Sequence, residues 1–167
     1  MSKGAFVALV ATGVVVLDQA TKILVRRDLP LHDAIPVIPG FFSLIHASNP
    51  GGAFSLFAGA HENIRLPFFV IAAAVAIGVL LYFVRQIPNQ QRWLLFAVAG
   101  VLGGAIGNLI DRVVFGEVTD FLLVHYRGWS WPAFNVADSF ITVGVTILVA
   151  HSLFVGDAPA PDPRPTD

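Results

Sequence analysis

Hydrophobic residues fall into four long blocks separated by polar or Pro/Gly-rich stretches. The blocks run from Ala5 to Val25, Leu66 to Val84, Trp93 to Ile110 and Asn135 to Phe154. Each approaches the roughly 20 mostly apolar residues that a bilayer-spanning helix needs. Basic residues bracket them: Lys3 and Arg26-Arg27 flank the first, Arg65 and Arg85 the second, Arg92 and Arg112 the third. Pro67 stands in the first turn of the second block, where its missing N–H costs nothing. Lys3 followed by an apolar run has the look of a cleavable leader. However, Asp18-Gln19-Ala20-Thr21-Lys22 occupies the place of a small-residue cleavage site, so a retained helix is expected.

Between the first two blocks, Leu31 to Ala60 follows a different pattern. Pro36, Pro39, Pro50 and Gly51-Gly52 punctuate short runs at Ile35–Ile38, Phe41–Ile45 and Ala53–Phe57 that predict strands. This predicts a small β-rich element at or above the bilayer surface. The link from Arg85 to Arg92 is short and polar. The chain therefore divides into a membrane domain over 1–156 and a Pro-rich tail over 157–167, whose composition predicts disorder.

Composition supports the membrane reading. Hydrophobic residues make up 56% and charged residues 13%, with a mean hydropathy of +0.75. Soluble domains carry about 25% charged residues, so half that density cannot cover a water-facing surface. A net charge of −1 leaves no basic footprint for nucleic acid. The absence of cysteine removes disulfides, thiolate metal sites and cysteine nucleophiles. The five histidines show no ligand spacing, so no metal is expected.

With four alternating spans, the intramembrane polar residues gather at one face. Asp18 and Lys22 close the first helix, Asn108, Asp111 and Arg112 the third, and Asn135 and Asp138 open the fourth. The other halves of the helices are almost purely apolar. Ionisable residues within a span cost a few kcal/mol on insertion scales and mark function by default. Structural alternatives stand beside that reading. Asp18 and Lys22, spaced i, i+4, can neutralise one another. Asp111-Arg112 can be an interfacial end-cap, and Asn108 and Asn135 interhelical glue. His46, His61, His125 and His151 read as surface or interfacial residues, and Trp93, Trp129 and Trp131 as aromatic-belt anchors. Asp120 and Asp138 resist the structural reading best, because each sits among apolar neighbours.

If the cluster is catalytic, the available chemistry is narrow. A serine/lysine dyad would have to use Lys22, which Asp18 holds charged. No GxS elbow is present, nor the DTG or GxGD signatures of other aspartyl proteases. Two aspartates held close share a proton, one acting as base on water and the other as acid toward a carbonyl, with no cofactor.

Five blocks in order carry a resemblance: Asp18-Gln19-Ala20-Thr21-Lys22, Asn49-Pro50-Gly51-Gly52-Ala53-Phe54, Gly103 to Arg112, Gly116-Glu117-Val118-Thr119-Asp120-Phe121 and Phe134-Asn135-Val136-Ala137-Asp138. Together they resemble the lipoprotein signal peptidases (signal peptidase II) over Leu17 to Ser139. Gly52 replaces an alanine frequent in the family, and the residues before Asn49 are less typical. The resemblance implies an all-α polytopic membrane protein of four transmembrane helices, with a small extracytoplasmic β-cradle over 31–60 and a short interfacial helix within Gly116–Trp131. It implies Asp120 and Asp138 as the catalytic dyad. Asp18, Lys22, Asn49, Asn108, Asp111, Arg112 and Asn135 would form the supporting, substrate-orienting shell.

The implied reaction removes the signal peptide from diacylglyceryl-modified bacterial prolipoproteins, just before the lipidated cysteine, without metal or cofactor. The expected partners are that substrate and membrane lipids; one chain supplies both aspartates, so a monomer suffices. The implied location is the bacterial cytoplasmic membrane, with the site at the extracytoplasmic face and both termini inside. Counting basic residues gives the opposite orientation, since Lys3, Arg85, Arg92 and Arg164 on the terminal side face six on the other.

Two rival readings remain at this point. A proton-coupled transporter would need a polar route through the whole bilayer, which the apolar helix halves lack. A non-catalytic assembly factor would tolerate Asp→Asn at either dyad position.

Overall fold

The computed structural model describes residues 1–51 and 61–154, apart from the side chain of Glu62. Four helices form: α1 (Lys3–Asp28), α2 (Glu62–Gln86), α3 (Arg92–Phe115) and α4 (Val136–Phe154). Each is long and apolar enough to cross a membrane, and each contains or closely overlaps an expected span. Ser2 caps α1 by accepting from the Ala5 N–H, and Gly116, at φ 79°, ends α3 in a left-handed turn that L side chains resist.

The helices do not share burial equally. In α3, 67% of the most apolar window is buried, against 28% in α1, 11% in α4 and 6% in α2. α3 is therefore the axis against which the other three pack. Its glycines allow this. A Cβ on Gly103 would lie 2.7 Å from the Ala11 carbonyl oxygen of α1, and one on Gly104 would lie 2.5 Å from the Ala137 carbonyl oxygen of α4. Close backbone approach replaces the hydrophobic driving force that lipid removes. Near the terminal end, Val7, Ala11, Val84, Leu95, Val98, Ala99 and Leu102 form the buried core. There the Lys3 ammonium donates to the carbonyls of Arg85 and Ile87, capping the C-terminus of α2. Large side chains such as Leu9, Ile71 and Val75 point outward, as a lipid-facing surface requires.

At the opposite end lies a four-stranded antiparallel sheet in the order β1-β2-β3-β4. It comprises β1 (Ala34–Ile38), β2 (Phe42–Asn49), β3 (Val118–Tyr126) and β4 (Trp129–Ser130). The first two match the expected strands; the run Ala53–Phe57 and the tail from Asp157 lie outside the described residues. The short helix expected within Gly116–Trp131 is corrected: that segment forms β3 and β4. Val118, Phe121, Val124 and Tyr126 suit a half-buried pleat. Arg127 and Gly128 then turn the chain with φ of 48° and 84°, the positive angles a two-residue hairpin demands.

One register matters for the site. β2 and β3 pair Ala47 with Asp120, Ser48 with Thr119 and Asn49 with Val118, although two helices separate them in sequence. This pairing brings the Asn49 block onto the Asp120 strand.

Candidate active site

Asp120 enters from β3, 2% exposed. Its Oδ1 accepts a 2.7 Å bond from the Asn135 amide and its Oδ2 a 3.0 Å bond from the Asn49 amide. Asp138 sits in the first turn of α4, half-buried. Its Oδ1 accepts from the Asn108 amide at 2.7 Å and its Oδ2 from the Asn135 backbone N–H at 3.3 Å. In return the Asp138 N–H donates to Asn135 Oδ1 at 2.9 Å. The reciprocal pair is a capping box, with Asn135 as cap and Asp138 as the third helical residue. One asparagine thus starts the helix, fixes one aspartate and binds the other. Both carboxylates face a groove of about 750 Å³, also lined by Asn49, Arg112, Trp131 and Phe134.

Below the aspartates lies a second tier closed to solvent. Lys22, Asp18 and Asp111 are all fully buried. The Lys22 ammonium is 2.8 Å from Asp18 Oδ2, 3.2 Å from Asp111 Oδ2 and 2.9 Å from Asn108 Oδ1. Asp18 Oδ1 accepts the Ala137 N–H at 2.9 Å, binding α1 to the N-terminus of α4. Asp111 Oδ2 accepts the Thr119 N–H at 3.0 Å, binding α3 to β3. Each aspartate of the lower tier therefore positions the element that carries one of the upper pair. Buried ions require such complete pairing, because removing one partner leaves an uncompensated charge.

The structure shows what each of these side chains touches. Asp18 and Lys22 do form their i, i+4 pair, but as part of a larger network. The end-cap reading of Asp111 is overturned: its side chain turns inward to Lys22 and Thr119 while Arg112 turns the other way. The Arg112 guanidinium donates to the carbonyls of Asn108 and Gly51 and stacks 4.8 Å from the Phe69 ring centroid. Asn49 Oδ1 accepts the Gly51 N–H, so Arg112 and Asn49 together fold the 49–51 turn against Asp120. The two asparagines Asn108 and Asn135 do join helices, and their bonds end on the aspartates.

Three contributors went unassigned in the sequence. Gln19 Nε2 lies 3.1 Å from each of Asp18 Oδ2, the Gly107 carbonyl and Asp111 Oδ1. Arg26 donates to the Thr119 hydroxyl at 2.8 Å and lies 3.6 Å from Asp111. Gly107 leaves room for Asp18, whose Oδ2 would be 2.6 Å from a Cβ there. Gln19 carried a signal, as a polar residue beside Asp18 at membrane depth; Arg26 carried none. The histidines stay away from the aspartates: His46 bonds the Leu29 carbonyl, His125 bonds Ser43 and His151 packs on Trp93. Among the described residues, no group of three or more His, Asp or Glu side chains is arranged to hold a metal ion.

Burial pushes the Asp120 carboxyl up to about 7, and the nearby Asp138 charge adds to the effect. The bonds from Asn49 and Asn135 oppose it without cancelling it. At neutral pH the groove thus contains a carboxyl group poised to give or take a proton.

The chain as a whole is similar to known proteins. A family model described as signal peptidase (SPase) II matches residues 10–154. A lipoprotein signal peptidase of Syntrophotalea carbinolica is 54% identical over 141 residues, which is 84% of this chain and 86% of the relative. One from Desulforapulum autotrophicum is 48% identical over 146 residues, 87% of this chain and 90% of that one. A solved bacterial membrane enzyme superposes with a TM-score of 0.79 at 32% identity, covering 90% of this chain and 94% of its own.

Proposed function

The chain belongs to the signal peptidase II family, multi-pass membrane proteases that remove signal peptides from prolipoproteins, and from that premise we propose that it works as an aspartic endopeptidase. Asp120 and Asp138 are the catalytic pair in this reading, and the scissile bond is the one just before the diacylglyceryl-modified cysteine. The observation that carries the proposal is the Asn135 amide, which holds Asp120 while its backbone caps and binds Asp138.

The two aspartates have different surroundings, which suggests different roles. Asp138 lies in the first turn of α4, where the helix dipole favours negative charge. Asp120 lies on a strand, without that help, and is pushed up to about 7. The pair shares one proton, held on Asp120 at the start of the reaction. Asp138 takes a proton from a water as its oxygen bonds to the scissile carbonyl carbon, and Asp120 gives its proton to the carbonyl oxygen. Collapse of the tetrahedral intermediate breaks the C–N bond. Asp138 then protonates the leaving amine and Asp120 recovers its proton from the hydroxyl, so protons balance over one turnover.

The other polar residues divide into two tasks. Asn49 and Arg112 line the groove and are placed to meet the substrate backbone. Asp18, Lys22 and Asp111 are fully buried and act only by positioning, with Asn108 and Asn135 relaying that order to the dyad. We place the groove at the extracytoplasmic face with both chain ends in the cytoplasm, because the lipidated precursor presents its cleavage site there. One chain supplies every residue of the site, so a monomer suffices.

Cleavage of a diacylglyceryl-modified precursor by Asp120→Asn and Asp138→Asn proteins tests this. Each should insert and fold normally yet leave the precursor uncut. Near-normal turnover by either would overturn the dyad.

A further inference from the structure

The last turn of α1 carries two arginines with opposite surroundings. Arg27 points outward and pairs with Asp28 at 2.6 Å; both side chains are more than half exposed, so the pair contributes little. Arg26 turns inward and is 21% exposed. Its guanidinium donates to the Thr119 hydroxyl at 2.8 Å and lies 3.6 Å from Asp111 Oδ1. It also sits 4.4 Å from the centre of the Phe115 ring, a stack that holds the planar group in place. One side chain of α1 thus reaches both the end of α3 and the start of β3.

Thr119 is the residue before Asp120, and three of its atoms are anchored. Its N–H donates to Asp111 Oδ2 at 3.0 Å, its carbonyl accepts from the Asn135 amide at 3.3 Å, and its hydroxyl accepts from Arg26. The partners come from α3, from the cap of α4 and from α1. The Asn135 amide nitrogen that reaches the Thr119 carbonyl also binds Asp120 Oδ1 at 2.7 Å. Any drift of the Thr119–Asp120 peptide is therefore felt at that bond. Thr119 is 8% exposed, so its hydroxyl depends on a protein partner.

Charge balance points the same way. Asp18 and Asp111 are fully buried, and the Lys22 ammonium between them supplies one positive charge for two negative ones. Arg26 brings the second.

We propose that Arg26 is a positioning residue for Asp120, fixing the Thr119–Asp120 peptide through the Thr119 hydroxyl so that the Asp120 carboxylate stays on the Asn135 amide. The assignment rests on the dyad reading above and adds to it a residue outside the five sequence blocks. Neither Arg26 nor Thr119 lines the groove, so neither meets the substrate. The loss on removing the contact should therefore fall on kcat.

A double-mutant cycle on a lipidated precursor tests this. Thr119→Val keeps the shape and removes the hydroxyl; Arg26→Met removes the donor. Each should lower kcat about tenfold, the low end for one bond to a charged group, with KM within about threefold. The double variant should be no slower than the slower single variant, because both changes break one contact. Thr119→Ser, which returns the hydroxyl, should recover most of the loss. Turnover is compared below the Tm of each variant; if Arg26→Met fails to fold, Thr119→Val and Thr119→Ser decide alone.

The pH profile supplies a readout that general loosening would not give. Asp138 of α4, Lys22 of α1 and Arg112 of α3 are the charged groups that act on Asp120, and both substitutions leave them in place. The Asn135 bond favours the charged form of Asp120, so weakening it should move the alkaline limb of kcat/KM to higher pH in both single variants. Arg27→Met, which removes the neighbouring exposed charge, should change neither kcat nor the limb. Unchanged kcat in Thr119→Val, losses that multiply in the double variant, an unmoved limb, or an equal effect from Arg27→Met would each overturn the assignment. Near-normal turnover by Asp120→Asn would sink the dyad reading itself. Full turnover by Thr119→Val beside an inactive Asp120→Asn would sink only the role of Arg26.

Discussion

Lys22 and Asp138 are joined through a single side chain, the amide of Asn108. Its Oδ1 accepts from the Lys22 ammonium at 2.9 Å and its Nδ2 donates to Asp138 Oδ1 at 2.7 Å. A buried cation thus polarises the amide that binds a groove-facing carboxylate. Bonds in such chains strengthen one another. Replacing Asn108 by Ala should lower kcat about 10- to 100-fold, the range of one bond to a charged group. KM should change by less than about threefold, because Asn108 orders the base rather than gripping substrate. Steady-state kinetics on a lipidated precursor checks the split; a rise in KM alone would assign Asn108 to binding.

Lys22 itself serves stability first. Lys22→Met leaves the buried Asp18 without a counter-ion and Asp111 with only the more distant Arg26, 3.6 Å away, at a cost of about 3–5 kcal/mol. Thermal unfolding in detergent should show a large drop in Tm. Adding Asp18→Asn and Asp111→Asn to the same chain should restore much of the loss, since no unpaired charge then remains buried. No recovery in the triple variant would mean that Lys22 acts by packing alone.

This tier was only partly legible in the sequence. The four spans were readable because lipid demands about 20 apolar residues each, and the polar cluster followed from their alternating direction. Which helix lies at the centre was not readable: α3 is far more buried than α2 yet less hydropathic, 1.9 against 2.5. In a membrane, burial is driven by close packing, so Gly103, Gly104 and Gly107 carried the signal that hydropathy lacked. The inward turn of Asp111 was hidden because its neighbour Arg112 offered a local partner, while its real partners, Lys22 and Thr119, lie on other elements. The β3–β4 hairpin was missed in favour of a helix, although the positive-φ turn at Arg127-Gly128 follows a β-branched and aromatic run. Asp120 and Asp138 stood out because no local partner explained them.

The glycines give a contrast within one protein. Gly107→Ala drives a methyl group to within 2.6 Å of Asp18 Oδ2, so either the carboxylate or α1 must shift. A loss of about 1–3 kcal/mol is expected, with activity falling further as the Asp18 bond to the Ala137 N–H distorts. Gly13→Ala meets nothing within 4 Å and should leave both Tm and turnover unchanged. Equal Tm for the two variants would show that α1 and α3 are not in close contact at Gly107.

The pH dependence should bear the mark of Asp120. Its carboxyl, pushed up to about 7 by burial and by the Asp138 charge, keeps its proton below that pH and loses it above. kcat/KM should therefore fall on an alkaline limb near 7, a limb belonging to the coupled pair. Stability follows the same sign: the raised value favours the folded state fully below the unfolded value of about 3.9. That contribution is lost as the pH rises through about 7. Asn49 donates to the Asp120 carboxylate and favours its charged form, so Asn49→Ala should push the carboxyl higher. The alkaline limb should then move to higher pH, even as the rate falls from the loosened 49–51 turn. A limb moving to lower pH would mean that Asn49 stabilises the protonated acid, and the roles given to Asp120 and Asp138 would have to be exchanged.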